Sequence, residues 1–242
     1  MNSQFKNEKL RNKWDAILNT TVDDNEWNKI YKICFKTIER NDLIWLQFRI
    51  IQRILGTRSH LYKINIVNSD SCQFCQSAVE TIYHIFVCCP IVCDFWKSLQ
   101  RWRQHFGQYL NIEAKTILFG NLENDFDFFL KNTILLIAKK FIWTQLKKYK
   151  LLNILDFQYF MKNVYEEQQY MAKVNNTLEK LNMLWSVSNI NDIIKHSYRG
   201  REKSLPIHLV TCTHYYAIIC VNNFKLPVML LYASLYILLF CK

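Results

Sequence analysis

Apolar positions return every three or four residues through most of this chain, and that period predicts a succession of helices. Trp27, Ile30, Tyr31, Cys34, Phe35 and Ile38 form one stripe, with Asp24 placed to cap its start. A second stripe runs through Leu43, Leu46, Ile50, Ile51, Ile54 and Leu55, and Gly56 offers a natural stop. Between Lys63 and Ser71 the period is lost, and Ile64, Ile66 and Val67 predict a short extended segment entering the turn-rich run Asn68-Ser69-Asp70-Ser71. After Pro90 the helical spacing resumes with Ile91, Val92, Phe95, Trp96, Leu99 and Trp102, and Gly107 closes it.

Residues 108–129 alternate short apolar groups with Asn, Glu and Asp and predict a loop with one or two turns of structure. The next helix carries Leu130, Ile134, Ile137, Ala138, Phe141, Ile142 and Gln145, with Lys147, Lys148 and Lys150 at the end where cations oppose the helix dipole. Asp156 can cap a long helix that holds one period from Phe157 through Met161, Val164, Tyr165, Ala172, Leu178 and Leu181 to Trp185. The tail departs from this pattern, since residues 226–241 are 16 positions without a charge, bracketed by Lys225 and Lys242. A membrane span needs roughly 17–25 apolar residues, so membrane contact by this segment is a marginal expectation.

A chain of 242 residues that is half apolar, with only 4 Gly and 3 Pro, can bury a core and excludes disordered or collagen-like classes. The 31 Lys and Arg against 20 Asp and Glu favour an anionic partner, nucleic acid or membrane surface. The surplus lies on both flanks, however, and vanishes over residues 65–110, where 3 basic face 3 acidic side chains. The 9 Cys are an odd number, and the polar start Met1-Asn2-Ser3-Gln4-Phe5-Lys6 leads into no apolar signal segment. Both features point to a reducing compartment, cytoplasm or nucleus, where clustered Cys bind metal more often than they pair.

The chemistry concentrates in one cluster. Cys72-Gln73-Phe74-Cys75 sets two thiols two residues apart, and eight residues later come His84-Ile85-Phe86-Val87-Cys88-Cys89-Pro90. The pattern is Cys-x2-Cys-x8-His followed by x4 with Cys89 or x3 with Cys88, and spacing leaves both open. A helix beginning near Val79-Glu80-Thr81 would carry His84 and reach the next Cys about one turn on. Three thiolates and an imidazole make a closed tetrahedral site for one structural Zn2+, with no vacancy for water, and apparent binding energies in small zinc modules are about 10–16 kcal/mol. The bland alternative is a set of buried free Cys, the common use of the residue and the expectation for Cys34, Cys93, Cys212, Cys220 and Cys241.

No catalytic motif accompanies it. Adjacent carboxylates occur at Asp23-Asp24, and Glu113, Glu123, Asp125 and Asp127 lie in the loop region, but there is no phosphate-binding Gly-rich loop with a following Lys and no His-Glu-x-x-His pair. His60, His105, His196, His208 and His214 have no recognisable partner at useful spacing. Residues suited to nucleic acid are Arg49, Arg53, Arg58, Lys63, Lys97, Arg101 and Arg103, with Phe74 as a stacking ring. The competing interpretation is a solvated helix face and a Phe74 that packs over the metal turn.

The run Cys72-Gln73-Phe74-Cys75, then Glu80-Thr81-Ile82-Tyr83-His84-Ile85-Phe86, then Cys89-Pro90 and Phe95-Trp96 resembles the zinc-binding domain that follows the polymerase in non-LTR (LINE-type) retrotransposon reverse transcriptases. The likeness runs from about Trp27 to Trp185. It implies that Cys89, which precedes Pro90, is the fourth ligand beside Cys72, Cys75 and His84. It also implies a non-catalytic fragment that assists binding of element RNA or target DNA, with an upstream polymerase or another protein as partner. The chain has no Phe/Tyr-x-Asp-Asp polymerase signature.

The expected architecture is therefore mainly α: an irregular helical bundle with a small Cys-Cys-His-Cys zinc knuckle and a long C-terminal helix. Residues 20–107 would form the zinc-binding domain, with the knuckle at 70–92, residues 108–200 a helical extension and residues 201–242 an apolar tail. Two other functions fit the same residues: a zinc-stabilised protein-interaction module presenting Trp96, Trp102 and the long helix, and a protein anchored in a membrane by its tail.

Overall fold

In the computed structural model, residues 3–37, 40–123 and 127–186 are described, and all of them fall within one unit, Met1–Gly200. The described residues form a helical bundle, and among them the sole β feature is an isolated antiparallel bridge between Ser71 and Val79. The helices are α1 (Ser3–Leu18), α2 (Asp24–Thr37), α3 (Asn41–Ile51), α4 (Arg58–Lys63), α5 (Pro90–Gln104), α6 (Ala114–Phe119), α7 (Phe128–Lys147), α8 (Ile154–Val174) and α9 (Leu178–Ser186). A π-helical turn, His84–Cys88, precedes α5.

Helix α7 is the axis of the bundle. It packs on α2, α3, α8, α9 and the π turn, and its burial extends around the helix rather than along one stripe, which is why its apolar residues crowd so closely in sequence. Two aromatic clusters flank it. Phe95 of α5, Phe141 of α7 and Phe157 of α8 stand 5.5–5.6 Å apart, while Phe119 of α6 meets Trp14 of α1 at 5.4 Å and Trp27 of α2 at 5.3 Å. Such rings bury large apolar areas and lock the packing angle through edge-to-face contacts.

Several local expectations are revised. Helix α1 carries too many charges to announce itself, yet Trp14 is fully buried and its indole N–H donates to the Ile51 carbonyl at 2.8 Å. Asp23 rather than Asp24 caps α2, accepting the Glu26 N–H at 2.8 Å, while Asp24 pairs with Arg11. Phe35 stands outside the expected stripe and is exposed. Helix α3 stops before Gly56, at a left-handed Arg53 with φ 58°, so Ile54 is exposed. Residues 64–68 are turns and bends that follow α4 rather than an extended segment. Asn153, not Asp156, caps α8.

The single long helix expected to reach Trp185 is two helices. The chain turns at Asn175-Asn176-Thr177, with Asn176 left-handed at φ 55°, and α9 folds back so that the Trp185 ring meets Tyr165 at 4.9 Å. Periodicity cannot see this break because three polar residues interrupt the stripe without shifting its phase.

The expectation of membrane association is corrected as far as the described residues go. Among the described residues no helix is long and apolar enough to cross a membrane. Helix α7 has 20 residues, but Lys131, Lys139, Lys140 and Lys147 interrupt its apolar surface. Residues 226–241 lie outside the described residues.

Candidate metal centre

The sulfurs of Cys72, Cys75 and Cys89 and a ring nitrogen of His84 all lie within 4.8 Å of one another. Four ligands on a tetrahedral zinc, at about 2.3 Å for sulfur and about 2.0–2.1 Å for nitrogen, are separated by roughly 3.5–3.8 Å. The residues present therefore fit such an ion with a small contraction, and a Cys-Cys-His-Cys site able to hold a metal is present.

The first half is a tight turn. Gln76 N–H donates to the Cys72 carbonyl at 2.9 Å and Cys72 N–H to the Ala78 carbonyl at 2.8 Å, with Gln76 left-handed at φ 55°. Cys72 and Cys75 thus share the concave side of a narrow knuckle closed by the Ser71–Val79 bridge. Phe74 is half-buried against the core, and Arg58 Nε donates to the Ser69 carbonyl at 3.0 Å, tying the knuckle to α4.

The second half depends on the π turn. Thr81 Oγ1 accepts the His84 N–H at 3.0 Å and starts the helical segment. Cys89 N–H then donates to the His84 carbonyl at 2.8 Å, an i to i−5 bond. That wider turn returns residue 89 to the face of residue 84, which explains geometrically why a His-x4-Cys pair converges. Cys88, one residue earlier, is exposed, and Cys93 reaches the Val87 carbonyl at 3.0 Å instead. The segment is fastened from below by Ile82, Ile85 and Phe86 in the core, and by the Trp96 indole N–H on the Phe86 carbonyl at 2.8 Å.

The electrostatics suit a cation. His84 Nε2 lies 3.3 Å from the Cys75 sulfur. A hydrogen bond from the Cys89 thiol draws Cys72 far below the ordinary thiol value, to about 4, while that bond and burial push Cys89 upward. A divalent cation bound between the two sulfurs would displace the thiol proton they share.

The basic residues are less concentrated than the ligands. Lys97 and Arg101 are exposed one turn apart on α5, and Arg49, Arg53 and Lys63 are exposed on or beside α3 and α4. Arg53 also lies over the Trp14 ring at 4.9 Å. Arg103 is a correction: it is 2% exposed inside the bundle beside Trp102, so a phosphate cannot reach it. Trp96 is likewise core, at 1% exposure, and cannot present a partner surface. Glu80 and Thr81 were legible in sequence as a helix start and as part of the resemblance motif, but not as hydrogen-bonding partners of the ligand segments.

No curated protein matches the chain. A family model described as zinc-binding in reverse transcriptase matches residues 9–96, beginning earlier than the resemblance suggested and ending at Trp96. That segment contains all four converging side chains and the helices that seat them, so that over residues 9–96 the chain matches the zf-RVT family, zinc-binding domains associated with non-LTR retrotransposon reverse transcriptases.

Proposed function

We propose that Cys72, Cys75 and Cys89 as thiolates and His84 through Nε2 hold one structural Zn2+, and that the module so stabilised assists binding of RNA or DNA. The carrying observation is the convergence of four soft ligand atoms within 4.8 Å. Three sulfurs and one nitrogen leave no open coordination position, so the metal organises the fold and activates no water. Residues 20–107 act as the zinc-binding unit, and the described helices beyond residue 107 buttress it. The nucleic-acid role is supported by the exposed cations Arg49, Arg53, Lys63, Lys97 and Arg101 and by the excess of basic residues in the whole chain. Arg58 serves the knuckle through Ser69, and Phe74 packs on the core, so neither is placed primarily for a ligand.

Metal analysis of the purified chain should give about one zinc per molecule, lost in Cys72→Ser with Cys75→Ser. A wild-type chain without zinc, or unchanged content in the double variant, defeats the assignment. A second reading, a zinc-stabilised protein-interaction module, draws on Tyr62, Ile64 and Ile66, which stand 48%, 50% and 67% exposed at and after α4. Oligonucleotide binding that weakens as salt rises supports the first reading, and its absence at low salt favours the second.

A further inference from the structure

The geometry points to Glu80 as the positioning residue of the metal centre: its buried carboxylate fixes the Cys72–Cys75 turn from beneath and fastens that turn to α4. This inference rests on the metal-binding reading above and adds to it a residue that is not a ligand.

Glu80 is completely buried. Its two carboxylate oxygens are used separately: Oε2 accepts the Gln73 N–H at 3.1 Å and Oε1 accepts the Arg58 N–H at 2.9 Å. Gln73 directly follows ligand Cys72 and lies inside the Cys72–Cys75 turn, so the first of these bonds acts on the ligand loop itself. Arg58 opens α4, so the second holds a neighbouring element to the same group. The Glu80 backbone completes the fastening, its N–H donating to the Asp70 carbonyl at 2.7 Å and its carbonyl accepting from Ser59 N–H at 3.2 Å.

A carboxylate is costly to bury unless its oxygens are hydrogen-bonded. Here both are, and the Lys147 ammonium supplies a favourable charge from α7. The chemistry of the acceptor is specific. Only a group with two acceptor oxygens at this span satisfies two converging N–H donors, whereas a carboxamide would turn one NH2 against one of them. Outer-shell groups that orient ligands in this way commonly govern metal affinity about 10–100-fold.

The test compares the full-length chain with Glu80→Gln, which keeps shape and removes one acceptor, and with Glu80→Asp, which keeps charge but shortens reach. Zinc affinity is measured by competition with a chromophoric chelator, Co2+ binding by its thiolate and ligand-field absorption, and melting with and without metal. Expected is an affinity about 10–100-fold weaker in Glu80→Gln, an altered Co2+ spectrum, and a narrower gap between metal-loaded and metal-free melting. Glu80→Asp should be weakened too, and it carries the comparison if Glu80→Gln does not fold. Equal affinity and an unchanged Co2+ spectrum, with both melting points lowered together, would mean a merely structural role and overturn the inference. Absence of zinc from the wild type is a distinct failure, since it removes the metal-site reading itself.

Discussion

At the scale of single residues, the least expected group is Lys139. It is 1% exposed in the middle of α7, and its ammonium donates to Gln47 Oε1 and to the Leu118 carbonyl at 3.3 Å. Gln47 in turn donates to the same carbonyl at 2.8 Å, so one polar triangle joins α3, α6 and α7 within an apolar core. Burial pulls Lys139 down from the ordinary 10.5 to about 7. The unfolded chain therefore keeps a proton that the folded chain releases near neutrality, and stability must rise with pH above about 7 by at most about 1.4 kcal/mol per unit. The usable window closes near pH 8.5, where thiols of the unfolded chain begin to ionise. Denaturant midpoints of the wild type should climb between about pH 7 and 8.5 relative to Lys139→Met. Parallel profiles for the two proteins would show that Lys139 does not titrate in this range.

Among elements, the sharpest constraint lies where α6 ends. Gly120 has φ +102°, and a Cβ there would meet Asn132 Oδ1 at 2.6 Å and Ile33 Cδ1 at 2.8 Å. Asn132 cannot yield easily, because it accepts the Asn121 N–H at 2.8 Å and donates to the carbonyls of Asn121 and Phe128 at 3.0 and 2.9 Å. This buried side chain splices the α6–α7 connection to the start of α7, while Ile33 brings α2 against it. Gly120→Ala should cost about 2–4 kcal/mol from strain and overpacking together, read as a lower denaturation midpoint. Zinc content should stay near the wild-type level, since the added methyl would meet Asn132 and Ile33 rather than any of the four ligands. A midpoint within error of wild type would mean that α2 and α7 can separate freely at this joint.

For the molecule as a whole, the relevant quantity is the formal charge of +11 carried on dispersed cations. A dispersed surplus draws polyanions without specifying sequence, and its signature is the dependence of affinity on salt. Lys97 and Arg101 are the pair that one helix face presents together, although Lys97 also sits 3.5 Å from Asp94. Replacing both with Glu should weaken binding to a nucleic acid and lower the magnitude of the log–log salt slope by about 1–2. The measurement is a titration of a labelled oligonucleotide at several salt concentrations. An unaltered slope would move the contact surface elsewhere, to the α3 and α4 cations.

Much was legible before any tertiary contact was known. The helical period, the metal-like spacing of Cys72, Cys75 and His84 and the start of α5 at Pro90 are local properties, because backbone propensity and short-range ligand spacing are encoded within a few residues of one another. The family pattern, not spacing, distinguished Cys89 from Cys88. Only the folded chain decided the rest. The return of α9 onto α8, the burial of Arg103, Trp96 and Lys139 and the hold of Glu80 on the Arg58 N–H depend on partners well away in sequence. The π turn that brings residue 89 back over residue 84, though local, is not written in the apolar period. Periodicity reports which residues prefer to be hidden; which donor meets which acceptor, and which cation is cut off from water, is settled by the packing of elements that share no local sequence.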